Sequence, residues 1–273
     1  MRAAVLGSPI AHSLSPVLHR AAYTALGLTD RRYDRFEVDE AGLPGFLAAL
    51  DVAGEGWTGL SLTMPLKRAV IPLLDRISDT ALAVDAVNTV LFHADGRRTG
   101  DNTDVPGLVA ALRERGVVRV DAAAVLGAGA TASSALAALG QVCTGEVTAY
   151  VRGPERAAQM RELGDRLGLK VATAPWERAA EAFTTPLTIS TTPVGATDHL
   201  AAAVPASPGA LFDVLYHPWP TALAAAWAGR RGIVLGGLDL LVHQAALQCE
   251  LFTGIAPAPL AAMRAAGEAA LAG

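Results

Sequence analysis

The hexapeptide Gly127-Ala128-Gly129-Ala130-Thr131-Ala132 does most to limit what this chain can fold into. It follows the apolar run AAAVLG and opens an Ala-rich stretch of helical pattern, so it matches G-x-G-x-x-G/A in the setting of strand, tight turn and helix. In that setting the first glycine makes the turn and the second lets the backbone approach a pyrophosphate. The helix N-terminus then offers unpaired N–H groups to the phosphates. Gly127, Ala128, Gly129, Ala130 and Thr131 are the expected cradle, with a turn made purely for packing as the alternative. The motif lies near the middle of 273 residues, and the long stretch before it needs a role of its own.

The end of the next strand selects the nucleotide. An NAD site places a carboxylate about 20 residues beyond the turn, on the ribose 2′-hydroxyl. Here the chain reads YVRGPERA, with Arg152 where the acid is expected and Arg156 one turn further on. Two guanidinium groups suit a 2′-phosphate and predict NADP(H). Glu155 between them counts against this, and two solvated arginines at a helix start is the other reading.

Strand and helix patterns alternate along the whole chain. RAAVLG (2–7) is a strand, and SPVLHRAAYTALG (15–27) is a helix with Ser15 as its N-cap and Pro16 in its first turn. RRYDRFEVD (31–39) and GWTGLSLT (56–63) are strands, followed by a helix through KRAVIPLLD (67–75). The strand AVNTVLFH (86–93), a turn at ADGR and the short RRTGDNTD complete a first α/β unit. From Val105 the pattern restarts, with a helix (107–115) and six strand candidates ending at GIVLGG (232–237). Strands separated by helices of ten or more residues imply βαβ crossovers and a mostly parallel sheet. The expected architecture is two α/β domains with a ligand cleft between them, residues 1–104 plus 238–273 and residues 105–237.

Composition excludes several function classes. With 52% hydrophobic and 18% charged residues and a net charge of −4, the chain is globular and carries no basic footprint for nucleic acid or an anionic membrane. No charge falls between Asp121 and Glu146, yet Gly, Ala, Ser and Thr dominate there, which drives bilayer insertion weakly. The apolar run at the start is too short for a secretory leader. Cys143 and Cys249 have no metal or redox spacing and fit small apolar fillers in a reducing cytoplasm. The six histidines show no metal spacing. The sequence does not set the oligomeric state and leaves a homodimer open.

The first half holds polar residues that folding alone does not require. Ser13 and Ser15 lie in the loop after the first strand, where Ser15 has a capping alternative. Thr63 ends a strand, and Lys67 stands in a first helical turn, where the helix dipole disfavours a cation. Asn88 interrupts an apolar strand, and Asp104 precedes a helix that it could simply cap. Near the C-terminus Gln244 shares a stripe with Leu240, Leu241, Leu247 and Leu251, so it either pairs inside the core or looks into a site.

The run SPIAHSLSP, TMPLK, AVNT, NTD, GAGATA, DVLYHP and GLDLLVHQA, in that order over the whole chain, resembles the shikimate dehydrogenase family. The resemblance implies NADPH-dependent reduction of 3-dehydroshikimate to shikimate, in the biosynthesis of chorismate and the aromatic amino acids. It implies a substrate domain formed by the first half, to which the C-terminal helices return, and a doubly wound Rossmann-like domain between. It places Ser13 and Ser15 on the substrate carboxylate with Thr63 close by, Asn88, Asp104 and Gln244 on the ring hydroxyls, and Tyr216 near the same pocket. The pyrophosphate falls to the glycine turn, the 2′-phosphate to Arg152 and Arg156, and the nicotinamide end to Val214 and Gly237, with Asp79 at an acidic position near it. Lys67 becomes the proton donor and Asp104 its orienter: burial disfavours charge on the amine, and the carboxylate restores it. Three places depart from the family pattern. Ser61 replaces the usual Asn, Val151-Arg152-Gly153 keeps only the arginine of Asn-Arg-Thr, and ISTTPVGA blurs the contacts of Thr191 and Thr192. Related readings are a quinate or amino-shikimate dehydrogenase, or a non-catalytic sensor of NADPH or a shikimate-like acid.

Overall fold

A computed structural model describes residues 1–272, which fold as two compact units, one of Met1–Asp104 with the described residues from Leu241 onward and the other of Val105–Leu240. The first unit runs β1 (Arg2–Gly7), α1 (Ser15–Ala25), β2 (Arg32–Glu37), α2 (Leu43–Ala49), α3 (Val52–Glu55), β3 (Trp57–Leu62), α4 (Leu66–Ala69), β4 (Arg76–Ile77), α5 (Asp79–Val84), β5 (Thr89–Phe92) and β6 (Arg98–Asp101). Its six-stranded sheet has the order β2-β1-β3-β5-β6-β4. β1 runs parallel to β2 and β3, whereas β5 runs antiparallel to both β3 and β6. This sheet is therefore mixed rather than mostly parallel. The cause is local: the ADGR turn joins β5 directly to β6, with Gly96 at φ 86 and Asp95 Oδ1 accepting from Arg97 N, and so short a link can only close a hairpin.

The stretch 67–75, expected as one helix, is broken. α4 ends at Ala69 and a 3-10 turn spans Ile71–Leu73, because Pro72 has no N–H for the carbonyl four residues back. The core of this unit gathers Leu6, Leu43, Leu47, Leu60, Leu66 and Val90, all at most 1% exposed. Burying six such side chains removes enough apolar area to contribute on the order of 10 kcal/mol against chain entropy.

The second unit contains β7 (Ala123–Leu126), α7 (Ala130–Val142), β8 (Val147–Val151), α8 (Pro154–Leu167), β9 (Val171–Pro175), β10 (Leu187–Ser190), β11 (Ala210–Asp213), α9 (Ala222–Gly229) and β12 (Ile233–Leu235). Helix α6 (Asp104–Glu114) leads into it, α10 (Gly237–Thr253) leads out, and α11 (Leu260–Ala272) packs on α1 in the first unit. The uncharged stretch after Asp121 folds as β7 and the 13-residue α7. Among the described residues no helix is long and apolar enough to cross a membrane.

All six strands of this sheet are parallel, in the order β12-β11-β10-β7-β8-β9. Counted within the unit this is the doubly wound order 3-2-1-4-5-6, whose reversal point lies between β7 and β10. Only the first two crossovers are long α-helices. Beyond β10, Pro193 and Gly195 (φ 78) prevent a helix, and the chain crosses over in a 3-10 segment, Asp198–Ala203. The crossover into β12 is the eight-residue α9.

Candidate active site

In the first unit three loops at the ends of β3, β5 and β6 converge on one carboxylate. Lys67 Nζ lies 2.6 Å from Asp104 Oδ2, with the two side chains 15% and 7% exposed. A pair this short and this dry differs from a solvated surface pair, whose worth is small. Lys67 sits in a four-residue helix, so the dipole opposing its charge is weak, and Asp104 supplies the compensating anion. Asp104 is the first residue of its helix, and Asn102 holds its backbone there, with Oδ1 accepting from Asp104 N at 3.0 Å and Nδ2 donating to Ala86 O at 2.8 Å. The Asp104 carboxylate is thereby left to face other groups, and its Oδ1 accepts from Asn88 Nδ2 at 2.9 Å.

Asn88 is buried, and its Nδ2 also reaches Gln244 Oε1 at 3.4 Å. Gln244 therefore joins Asn88 and Asp104 from α10, while its Nε2 donates to Leu241 O. The buried face of α10 differs from the expected stripe. Leu240 is buried as expected, but Leu241 and Leu247 are half-buried and Leu251 is 41% exposed, and the other buried apolar positions are Val242, Ala245, Ala246, Cys249 and Phe252.

The serines of the first loop exchange the parts expected of them. Leu14 occupies the N-cap position of α1 and Ser15 lies inside the helix. Ser13 Oγ accepts from Ser15 N at 3.3 Å, so Ser13 is the residue that serves the helix end. Ser15 is buried and Ser13 half-buried. Thr63 follows β3, held through its backbone by Leu6 O. Asp79 is exposed in the first turn of α5, where Ser78 is the N-cap.

His19, on α1, stands outside every motif that the sequence offers. Its ring stacks on Tyr33 at 3.9 Å and 7°, and burial lowers its pKa from 6.5 to about 3, opposed in part by the Gln248 side chain. Above the ordinary histidine range both folded and unfolded chains carry a neutral ring. Between 6.5 and about 3 only the unfolded chain binds the proton, so stability is lost as pH falls through that window. Going from pH 7 to pH 5 is expected to cost about 2 kcal/mol through this residue. His19→Phe, which keeps the stack, should flatten the Tm against pH over that range; an unchanged slope would assign the loss elsewhere.

The second unit holds the glycine turn at the C-terminal end of β7, at the strand-order reversal. Gly127 has φ 110, and a Cβ there would meet Thr191 Oγ1 at 2.6 Å, so only glycine fits. Thr191 in turn donates to Leu126 O at 2.8 Å, which gives this residue a turn-supporting role. Gly129 is the N-cap of α7, no side chain caps that helix, and a Cβ on Gly129 would meet nothing within 4 Å. Ala128, Ala130 and Thr131 are partly exposed around it. An uncapped helix start under open space fits a phosphate group. Arg152 and Arg156 are both exposed beyond β8; the Arg152 guanidinium lies 5.2 Å over the Trp176 ring, and Arg156 Nη1 donates to Gln159. Among the described residues no carboxylate forms an ion pair with either arginine.

Val214 and Tyr216 lie half-buried after β11, and burial raises the Tyr216 phenol. Gly237 starts α10, with its N–H on Leu215 O at 2.9 Å; a Cβ would sit 2.1 Å from Val214 O, so no side chain is tolerated. Asp213, missed by sequence reasoning although it opens DVLYHP, organises this loop. Its Oδ2 accepts from Thr221 Oγ1 at 2.7 Å and its Oδ1 from Leu215 N, and burial raises its pKa.

The chain is similar to known proteins both in sequence and in structure. Residues 5–90 match the family model described as the shikimate dehydrogenase substrate binding domain, and residues 237–266 match the shikimate 5′-dehydrogenase C-terminal domain. The NADP(+) shikimate dehydrogenase of Thermus thermophilus is 39% identical over 265 residues, 95% of each chain. The crystal structure of Mycobacterium tuberculosis shikimate dehydrogenase superposes with a TM-score of 0.88 at 39% identity, covering 98% of both chains. A Thermus thermophilus shikimate 5-dehydrogenase solved with NADP(H) and shikimate gives a TM-score of 0.85 at 36% identity, over 99% of this chain and 100% of that one.

Proposed function

The chain belongs to the shikimate dehydrogenase family, and we infer that it interconverts 3-dehydroshikimate and shikimate with NADP(H), using Lys67 and Asp104 to move the proton. The observation that carries the residue assignment is the nearly dry Lys67–Asp104 contact at 2.6 Å, braced by Asn88. When bound, NADPH supplies the hydride that converts the ring ketone to an alcohol. Lys67 gives one N–H proton to the ketone oxygen as charge develops there, and a solvent acid then reprotonates the neutral amine, so the reduction takes up one proton from solution. In the oxidative direction Lys67 takes that proton back.

Asp104 fixes the amine through Oδ2 and accepts a ring hydroxyl through its remaining lone pairs. Asn88 and Gln244 present amide groups to the other ring hydroxyls. Ser13 and Ser15 donate to the substrate carboxylate, with Thr63 beside them, and Tyr216 borders the pocket. On the cofactor, Gly127 to Thr131 hold the pyrophosphate, Arg152 and Arg156 the 2′-phosphate, and Val214 and Gly237 the nicotinamide end, with Asp79 near it. The two buried thiols fit a reducing cytoplasm as the place of work.

Shikimate with NADP⁺ should yield NADPH, followed by its absorbance, with a higher kcat/KM than quinate. Faster turnover of quinate would reassign the substrate, and binding of both ligands without turnover would make the protein a sensor.

A further inference from the structure

We infer that Gln248, one turn beyond Gln244 on α10, is a positioning residue that through Thr89 reinforces the orientation in which Asn88 faces Asp104; this rests on the functional reading above. Two backbone groups settle which way the Asn88 and Gln248 amides face. Thr103 N can only donate, and it lies 2.8 Å from Asn88 Oδ1. The amide oxygen therefore faces Thr103 N, and Nδ2 faces Asp104. Thr89 Oγ1, 2.8 Å from the same Oδ1, must then donate to it.

Asn88 O can only accept, so the Gln248 atom at 3.1 Å from it is Nε2, which also donates to Thr89 Oγ1 at 2.9 Å. Gln248 Oε1 consequently accepts from Ser61 Oγ at 2.7 Å, and Ser61 Oγ accepts from Tyr33 Oη at 2.6 Å. The donors run one way: Tyr33, Ser61, Gln248, Thr89, Asn88 and finally the Asp104 carboxylate. Tyr33, Ser61, Gln248, Thr89 and Asn88 are each at most 4% exposed. Aligned donors in a dry setting reinforce one another.

Two links are amides, which cannot pass a proton along, so the chain orients and does not conduct. Without the Gln248 N–H groups the Thr89 hydroxyl is free to turn, and Asn88 Oδ1 loses one of the donors that, with Thr103 N, hold it away from Asp104. An Asn88 amide turned the other way sets oxygen against carboxylate and displaces the group that steers Lys67 and a ring hydroxyl. Ser61, which stands where the family has Asn, serves Gln248 and Tyr33.

The test compares the full-length protein with Gln248→Met, Thr89→Val and Thr89→Ser. Gln248→Met and Thr89→Val should each lower shikimate kcat/KM about tenfold or more, while NADP⁺ binding measured by calorimetry stays put. Thr89→Ser, which keeps the hydroxyl, should recover to within about threefold of the parent. If Gln248→Met does not fold, the Thr89 pair decides. Normal shikimate kinetics in folded Thr89→Val, or equal losses in Thr89→Val and Thr89→Ser, would overturn the inference. An unmutated protein that does not oxidise shikimate would instead defeat the functional reading on which it rests.

Discussion

Lys67→Ala is expected to lower kcat for shikimate oxidation by about 10²-fold or more, with a much smaller change in shikimate KM. The amine's strongest interaction forms only as the substrate oxygen gains or loses charge, so its removal falls on the transition state. Asp104→Asn should cost both kcat and KM, because it removes the group 2.6 Å from Lys67 Nζ and a partner for a ring hydroxyl. The double variant should be little worse than the poorer single in activity. Stability should separate from activity. Lys67→Ala leaves a carboxylate that is 7% exposed without its cation, which costs about 3–5 kcal/mol, whereas Lys67→Ala with Asp104→Asn removes both charges and should melt higher than Lys67→Ala alone. A lysine with no part in the reaction predicts near-normal turnover in Lys67→Ala. Steady-state kinetics and thermal melts on the four proteins decide it, and wild-type kcat in folded Lys67→Ala would remove Lys67 from the mechanism.

What the sequence revealed and what it hid follow from the range of the interactions. The alternation of apolar runs with helical patterns is local, so two α/β units could be read directly, while the doubly wound class came with the family resemblance. Strand direction in the first sheet could not, because one short hairpin at ADGR reverses β5 within an otherwise crossover-rich unit. Pro72 was present to be read as a helix breaker, and the apolar spacing across it was misleading. The N-cap position of α1 went to Leu14 rather than Ser15, whose N–H is met by Ser13 two residues back. In the site, Lys67 and Asp104 are 37 positions apart and only family resemblance joined them before the structure did. Gln248 has partners 159 and 187 positions away, which no periodicity encodes. Its one legible trace is spacing: two glutamines four apart on an apolar helix, where a single buried amide already demands partners.

Arg152→Ala is expected to raise KM for NADP⁺ by about tenfold and to leave NAD⁺ kinetics nearly unchanged, while the unmutated protein prefers NADP⁺ by about tenfold or more in kcat/KM, about 1.4 kcal/mol. The structure gives this residue a specific posture. It follows β8, where a dinucleotide site that binds the ribose 2′-hydroxyl keeps an acid, and its guanidinium rests over Trp176 at 5.2 Å. Cation–π support of this kind leaves the planar donors unbonded while limiting their rotamers, so less entropy is lost when a 2′-phosphate arrives. Arg156 is tied to Gln159 at 3.0 Å and has to exchange that bond for a phosphate contact, which makes it the weaker contributor. A charge-assisted contact is worth about 1.5–3 kcal/mol, enough for the tenfold effect from Arg152 alone. Trp176→Ala should lie between the parent and Arg152→Ala, since it removes the support and keeps the charge. Calorimetry with 2′,5′-ADP and 5′-AMP reads the 2′-phosphate term free of catalysis: Arg152→Ala should weaken the first ligand and spare the second. Equal use of NADP⁺ and NAD⁺ by the unmutated protein, or equal loss of both nucleotides in Arg152→Ala, would show that this arginine does not read the 2′-phosphate.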